Sequence, residues 1–313
     1  MLVTSVIPLV ERYRDRLPVT ESTPVVTLGE GSTPLLPAPR ISERTGLDVR
    51  LKWDAANPTG SFKDRGMTVA VSKALEEGAT GIVCASTGNT AASAAAYGAR
   101  AGLRTVVTHA PGALARGKVS QALAVGADMR EVPGGFTEAF AEAERLAVEE
   151  GYALVNSVNP YRLAGQKTAA FEIVEELGGP PDALLLPYGG GGNTAALLIG
   201  FQEAGAGLPR FFPVQAADRP HTAASAIRIT DPVHRDEVDE ALERTRGAIL
   251  TADDDEILAA WRLLAREEGL FAEPSSAAGV AGLALAGLEP GSRVVCVVTG
   301  HGLKDPDAAL ERR

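Results

Sequence analysis

The 313 residues suffice for about two ordinary domains, and 45% hydrophobic against 22% charged residues excludes a disordered chain. Forty acidic residues against 30 basic ones leave a formal net charge of -10. That balance excludes broad binding of a nucleic-acid backbone, yet leaves room for a small anion held by a local arginine or a helix end.

Two cysteines, Cys84 and Cys296, each sit in an apolar run, so they read as buried reduced thiols rather than as a disulfide or a metal site. The start M-L-V-T-S-V-I-P-L-V-E-R has no basic segment ahead of a long apolar core. No stretch reaches about 18 uninterrupted apolar residues, so neither a signal peptide nor a membrane span is expected, and the cytoplasm is the expected location.

In chain order, the first forty-odd residues read as an arm with short elements. A strand follows over 49–53, then a helix over 64–77, a strand over 81–85, a helix from Gly88 to about 99 and a strand over 104–108. The pattern continues with a helix over 114–125, a strand over 128–132, a long helix over 137–150 and a strand over 152–156. Beyond it come a helix over 164–177, a strand over 183–187, a helix from Asn193 and a strand over 211–216. The charged stretch 219–247 reads as a surface excursion around one short helix; helices over 253–268 and 275–285 and a strand over 293–298 complete the chain. Short β-branched runs alternating with alanine-rich helices predict parallel sheet covered on both faces. The expected plan is a small α/β domain over 51–150, set within a larger domain built from 1–50 and 151–313, with the active site between them.

Four segments carry chemistry. In N-P-T-G-S-F-K-D-R-G-M (57–67), a proline-glycine turn leads into a helix that Ser61 and Asp64 can cap, which places Lys63 in the first turn. A lysine is disfavoured at the positive end of a helix dipole, but the same field favours an uncharged, nucleophilic amine. S-T-G-N-T (86–90) follows an apolar strand and offers amides, hydroxyls and Asn89 to an anion; an ordinary helix cap explains it equally. G-G-G-G-N-T (189–194) carries a heavy entropic cost for a mere turn. It lacks the spacing of a dinucleotide fingerprint or a nucleotide P-loop, which points to a small phosphorylated ligand. T-G-H-G-L-K-D-P (299–306) puts Thr299 beyond the carboxyl end of the last strand, where ligands bind in open sheets. His301 reads as structural, and His109, His221 and His234 show no metal-ligand spacing, so no metal is expected.

Together with G-E-G-S-T-P-L (29–35) and F-A-E-P-S-S-A-A (271–278), these segments resemble the fold-type II, tryptophan synthase β-like, pyridoxal-phosphate enzymes. Within that family the likeness is closest to the threonine synthases, and it spans essentially the whole chain. The resemblance implies an α/β fold of two open, parallel-rich sheets flanked by helices. The larger domain would bind the cofactor, pyridoxal 5'-phosphate, and the small domain would carry the Schiff-base lysine, Lys63, which would also shuttle protons. Phe62 would pack beside the ring, and Asn89 would bond the ring hydroxyl. Gly189, Gly190, Gly191, Gly192 and Asn193 would cradle the cofactor phosphate, and Thr299 would face the pyridine nitrogen. Ser86, Thr87 and Thr90 would receive the substrate carboxylate and neighbouring oxygens. Asn156, Ser157 and Arg162 would grip a substrate phosphate.

The implied reaction converts O-phospho-L-homoserine and water to L-threonine and phosphate, in a homodimer with a small phosphorylated amino-acid substrate and neither nucleic acid nor membrane as partner. Two other readings stay open: a serine or threonine dehydratase on the same scaffold, and a catalytically idle or regulatory binding protein. One position departs from the threonine synthase pattern, whose glycine loop usually reads more like G-N-A-G-N in bacteria. Gly190 stands at the asparagine, a position that can contribute a contact near the substrate phosphate.

Overall fold

The computed structural model describes residues 7–112 and 116–311, so the expected start of a helix at 114 and the first six residues of the chain lie outside the described residues. The strands among them are β1 (Leu35–Pro37), β2 (Asp48–Trp53), β3 (Gly81–Ala85), β4 (Arg104–His109), β5 (Asp128–Glu131), β6 (Tyr152–Leu154), β7 (Ala183–Pro187), β8 (Arg210–Ala216), β9 (Leu250–Ala252) and β10 (Arg293–Val298). The chain divides into two compact units, one formed by Met1–Ser32 and Asn57–Thr168, the other by Thr33–Ala56 and Ala169–Arg313.

The first unit holds a four-stranded sheet in the order β5-β4-β3-β6, all parallel. Its central strands β3 and β4 are buried on both faces, because helices cover both. Met67, Val71, Ile82, Cys84, Tyr97 and Val107 form one buried layer, and Val83, Val106, Ala143 and Leu146 form the other. Each such side chain taken from water contributes roughly 1.5–3 kcal/mol for the larger aliphatics. Burial also pushes the Cys84 thiol up to about 12, which leaves it an inert thiol packed in the sheet.

The second unit holds a six-stranded sheet in the order β1-β2-β10-β7-β8-β9, with only β1 antiparallel to its neighbour. Val49, Leu51, Phe212, Trp261, Val294 and Val298 pack on one face; Leu184, Leu186, Phe201, Phe211 and Val295 pack on the other. In β2, Lys52 is fully buried; it pairs with Glu172 at 2.8 Å and donates to the Thr33 carbonyl at 2.6 Å. The two edge strands, β1 and β9, span three residues each, too short to leave a pattern in the sequence.

The units part at other residues than 51 and 150. β2 pairs with β10 over six residues, from Asp48↔Arg293 to Trp53↔Val298, so it belongs whole to the second unit. The helix Pro160–Gln166 belongs to the first, because it crosses the helix Lys63–Glu76 with backbone against backbone. A side-chain carbon at Gly165 would stand 1.9 Å from the Arg65 carbonyl oxygen, and one at Gly66 would stand 2.5 Å from that of Arg162. The helix expected over 164–177 is therefore two helices, Pro160–Gln166 and Thr168–Leu177. Asn159 caps the first by accepting from the Tyr161 amide, with Pro160 at its first position. The hydroxyl of Thr168 donates to the Gly165 carbonyl at 2.7 Å where the two meet. The helix expected over 275–285 is likewise a 3-10 turn (Pro274–Ala277), a short α-helix (Ala278–Ala281) and another turn, since Gly279 and Gly282 press onto β7 and β8. The excursion over 219–247 contains one helix, Arg235–Thr245, and a short 3-10 turn.

Candidate active site

In the first unit, the turn Asn57–Gly60 closes with the Gly60 amide donating to the Asn57 carbonyl, and Gly60 takes φ 84°. Phe62 and Lys63 then open the helix Lys63–Glu76, and the Lys63 Nζ lies 4.4 Å from the centre of the Phe62 ring. The expected caps are not formed by Ser61 or Asp64. Asp64 turns back instead and accepts from the Thr59 amide (2.7 Å), the Thr59 hydroxyl (2.6 Å) and the Ser93 hydroxyl (2.6 Å). This buried carboxylate fastens the turn to two helices at once. Ser61 Oγ, also buried, has no hydrogen-bond partner among the described residues.

The segment Ser86–Thr90 leaves the carboxyl end of β3. Ser86 Oγ accepts from the Gly88 amide at 3.0 Å, and Asn89, buried, begins the helix Asn89–Ala101. Ser86, Thr87 and Thr90 are half-buried around that helix start, as is Ser157 beyond β6. Asn156 mimics a strand: its side-chain oxygen accepts from the Ala85 amide (2.9 Å) and its nitrogen donates to the Ala85 carbonyl (3.0 Å). It thereby holds the strand end from which Ser86 departs.

Arg162 is fully buried against Gly66, in the helix pair that carries Lys63. Its Nη1 donates to the Val155 carbonyl at 2.7 Å, whereas Nε and Nη2 have no hydrogen-bond partner among the described residues. Burial lowers its pKa to about 10, opposed by the nearby Cys84 and Asp64, so the side chain is still a cation at neutral pH. Two directed donors on a desolvated cation suit a phosphate or carboxylate. A cavity of about 290 Å³ lined by Leu103, Arg104, Val125 and Asp128 opens at the other, amino-terminal end of these strands and contains none of these groups.

In the second unit, the glycine loop leaves the carboxyl end of β7 and enters the helix Gly192–Ala204. The Gly190 carbonyl accepts from the His234 amide at 3.0 Å, and Gly191 takes φ 86°. Asn193 Nδ2 and Thr194 Oγ1, both buried in the first helical turn, have no hydrogen-bond partner among the described residues. Side-chain-free backbone, a helix amino terminus and two spare donors fit a phosphate group. The four glycines are not equivalent. A side-chain carbon at Gly191 would meet the His234 carbonyl oxygen at 2.8 Å, whereas one at Gly190 meets only the Ile229 methyl at 3.6 Å. Gly191→Ala is therefore expected to destabilise the chain by about 2–3 kcal/mol in urea unfolding, while Gly190→Ala is neutral or stabilises it by about 0.4–1 kcal/mol.

Thr299 follows β10, and its hydroxyl lies 2.9 Å from that of Ser276. His301 Nδ1 accepts from the Leu303 amide, and its ring meets Trp53 and Phe271 edge-on at 6.0 Å, so it serves the local turn. Burial and Lys304 hold its pKa below the usual histidine value. Residues whose roles the motifs did not reveal are Ser61, Thr194 and Ser276. Each lies inside a quoted motif; Ser276 finds its partner in another motif, and the hydroxyls of Ser61 and Thr194 find none among the described residues. Among the described residues no cluster of His, Cys, Asp or Glu could hold a metal ion, and no helix is long and apolar enough to cross a membrane.

Residues 26–300 match a family described as pyridoxal-phosphate dependent enzyme. A threonine synthase of Halalkalibacterium halodurans is 49% identical over 96% of this chain and 91% of its own length. One from Synechocystis is 51% identical over 97% of this chain and 85% of its own. The solved structure of a threonine deaminase from T.th. superposes with a TM-score of 0.73 at 27% identity, covering 86% of this chain and 92% of that one.

Proposed function

The chain belongs to the pyridoxal-phosphate-dependent enzyme family, and we propose that within it the chain is a threonine synthase, converting O-phospho-L-homoserine and water to L-threonine and phosphate. The observation that carries the choice of substrate is the buried Arg162 guanidinium with Nε and Nη2 unspent. An unphosphorylated hydroxy amino acid brings one anionic group, the carboxylate, which Ser86, Thr87 and Thr90 receive on this reading, and so leaves the cation nothing further to hold. A phosphorylated substrate brings a second.

Pyridoxal phosphate, when bound, supplies an electron sink for charge that develops on the substrate carbons. Lys63 holds it covalently, with Phe62 beside the ring and Asn89 at the ring hydroxyl. Gly189, Gly190, Gly191, Gly192 and Asn193 cradle its phosphate, Asn193 with its spare Nδ2, and Thr299 faces its pyridine nitrogen. Ser86, Thr87 and Thr90 orient the substrate carboxylate. Arg162 and Ser157 grip the substrate phosphate, with Asn156 bracing the strand end beside them.

With substrate bound, the Lys63 amine would accept the Cα proton. The same Nζ would take a Cβ proton as phosphate leaves from Cγ and, as an ammonium, would return protons to Cγ and finally to Cα, while the proton released when water adds at Cβ goes to the departing phosphate. Arg162 stabilises the charge that builds on the departing phosphate and keeps the ion from drifting away before water adds. The working form on this reading is a cytoplasmic homodimer, which light scattering checks as a particle of two chains.

The test is direct. Purified, cofactor-loaded protein given O-phospho-L-homoserine is expected to release phosphate and threonine one for one. L-serine and L-threonine are assayed in parallel for keto-acid release. Keto acid from either, with no turnover of the phosphorylated substrate, would make the chain a dehydratase and overturn the proposal.

A further inference from the structure

We propose that Ser276 is a positioning residue that fixes the direction of the Thr299 hydroxyl proton, and so keeps the cofactor's pyridine nitrogen unprotonated. This rests on the reading that Thr299 faces that nitrogen. The two hydroxyl oxygens are 2.9 Å apart, Ser276 in the turn Pro274–Ala277 and Thr299 at the end of β10. Ser276 is 0% exposed and Thr299 6%. Among the described residues each hydroxyl has the other as its side-chain partner. Glu273, the nearest carboxylate along the chain, lies against the Gly300 backbone, and neither hydroxyl bonds to it.

A pair of hydroxyls shares one proton, and the choice of donor is not symmetrical here. Were Thr299 to donate, the Ser276 proton would be buried with no acceptor, at a cost of about 1–3 kcal/mol. With Ser276 donating, every proton has a place: Ser276 to Thr299, and Thr299 onward to whatever faces it. A ring nitrogen facing Thr299 must then offer its lone pair. A protonated nitrogen would reverse the whole chain, pushing the Thr299 proton into Ser276 and stranding the Ser276 proton. The buried serine therefore acts as a one-way donor, and the preference it imposes on the nitrogen comes from the burial of Ser276 with Thr299 as its hydroxyl partner.

The test uses the holoenzyme loaded with 15N-labelled pyridoxal phosphate and reads the ring-nitrogen resonance. The wild type is expected at the unprotonated position. Ser276→Ala removes the one-way donor, and its resonance is expected to move toward the protonated position, with kcat lower by about tenfold for the loss of one neutral hydrogen bond. Ser276→Thr keeps the hydroxyl and is expected to hold the wild-type resonance, which separates loss of the donor from loss of packing. Thr299→Val serves as the control on the underlying reading. If Thr299→Val shifts the resonance and Ser276→Ala does not, the role given to Ser276 is overturned and the place of Thr299 stands. If neither substitution moves it, Thr299 does not face the nitrogen, and both statements fall. A wild-type resonance at the protonated position overturns the proposal outright. Should Ser276→Ala not retain cofactor, the Ser276→Thr resonance decides: at the wild-type position it supports the proposal, and at the protonated position it overturns it.

Discussion

Replacing Lys63 by alanine is expected to abolish the borohydride-reducible link between chain and cofactor and to lower turnover by about 10³-fold or more, as the loss of a nucleophile that also moves protons requires. Two other lysines are already committed. Lys52 is fully buried in its pair with Glu172 and its bond to the Thr33 carbonyl. Lys73 is committed to Glu76 and Glu77, and the hydrogen bond it donates to the Glu76 carboxylate holds its amine in the charged form. Lys63 stands in the first turn of its helix over an aromatic face, with the turn before it locked by Asp64. Reduction of the loaded wild type with borohydride, followed by peptide mapping, should place the label on Lys63 alone. A reduced adduct that survives in Lys63→Ala on another lysine would sink the assignment.

The second large effect is expected at Arg162. Arg162→Ala should lower kcat/KM for O-phospho-L-homoserine by about 10²–10³-fold, the loss of two charge-assisted hydrogen bonds, with KM raised by the lost grip on the bound phosphate and kcat lowered by the lost support of its departure. Arg162→Lys keeps the charge without the planar fork and should recover only part of the loss. A measurement without turnover separates substrate binding from damage to the fold. A saturating phosphorylated ligand, at about 100 times its Kd, should stabilise the wild type by about 2.7 kcal/mol and the alanine variant far less. An Arg162→Ala enzyme with unchanged KM and unchanged kcat/KM would remove this residue from the binding site.

The sequence made the parallel strands and their carboxyl-end motifs legible because both are local. A short apolar run followed by a glycine turn announces itself, and β3, β4, β7 and β10 all begin and end within a residue of their expected limits. What the sequence does not display is pairing across distance. The Asp64 carboxylate looks like a helix cap, since nothing nearby in the chain says that Ser93 and Thr59 will claim it. The Ser276–Thr299 bond joins residues 23 apart. The break near Lys167 follows from the crossing of two helices at Gly66 and Gly165, which no single helical pattern contains. Edge strands β1 and β9 escape notice for a simpler reason: three residues cannot show an alternation.

That crossing has a bearing on which molecules the enzyme accepts. Because the two helices meet backbone to backbone at Gly66 and Gly165, a side-chain carbon at either glycine would collide with the facing carbonyl oxygen. With Lys63 and Arg162 in the roles proposed above, the reactive amine and the anion grip are mounted on one stiff frame, like the jaws of a fixed gauge. A phosphorylated amino acid one carbon shorter or longer cannot be met by sliding one jaw. Length discrimination of this kind is written into the main chain, and evolution of a new chain length would have to begin by replacing two glycines rather than by redecorating the site.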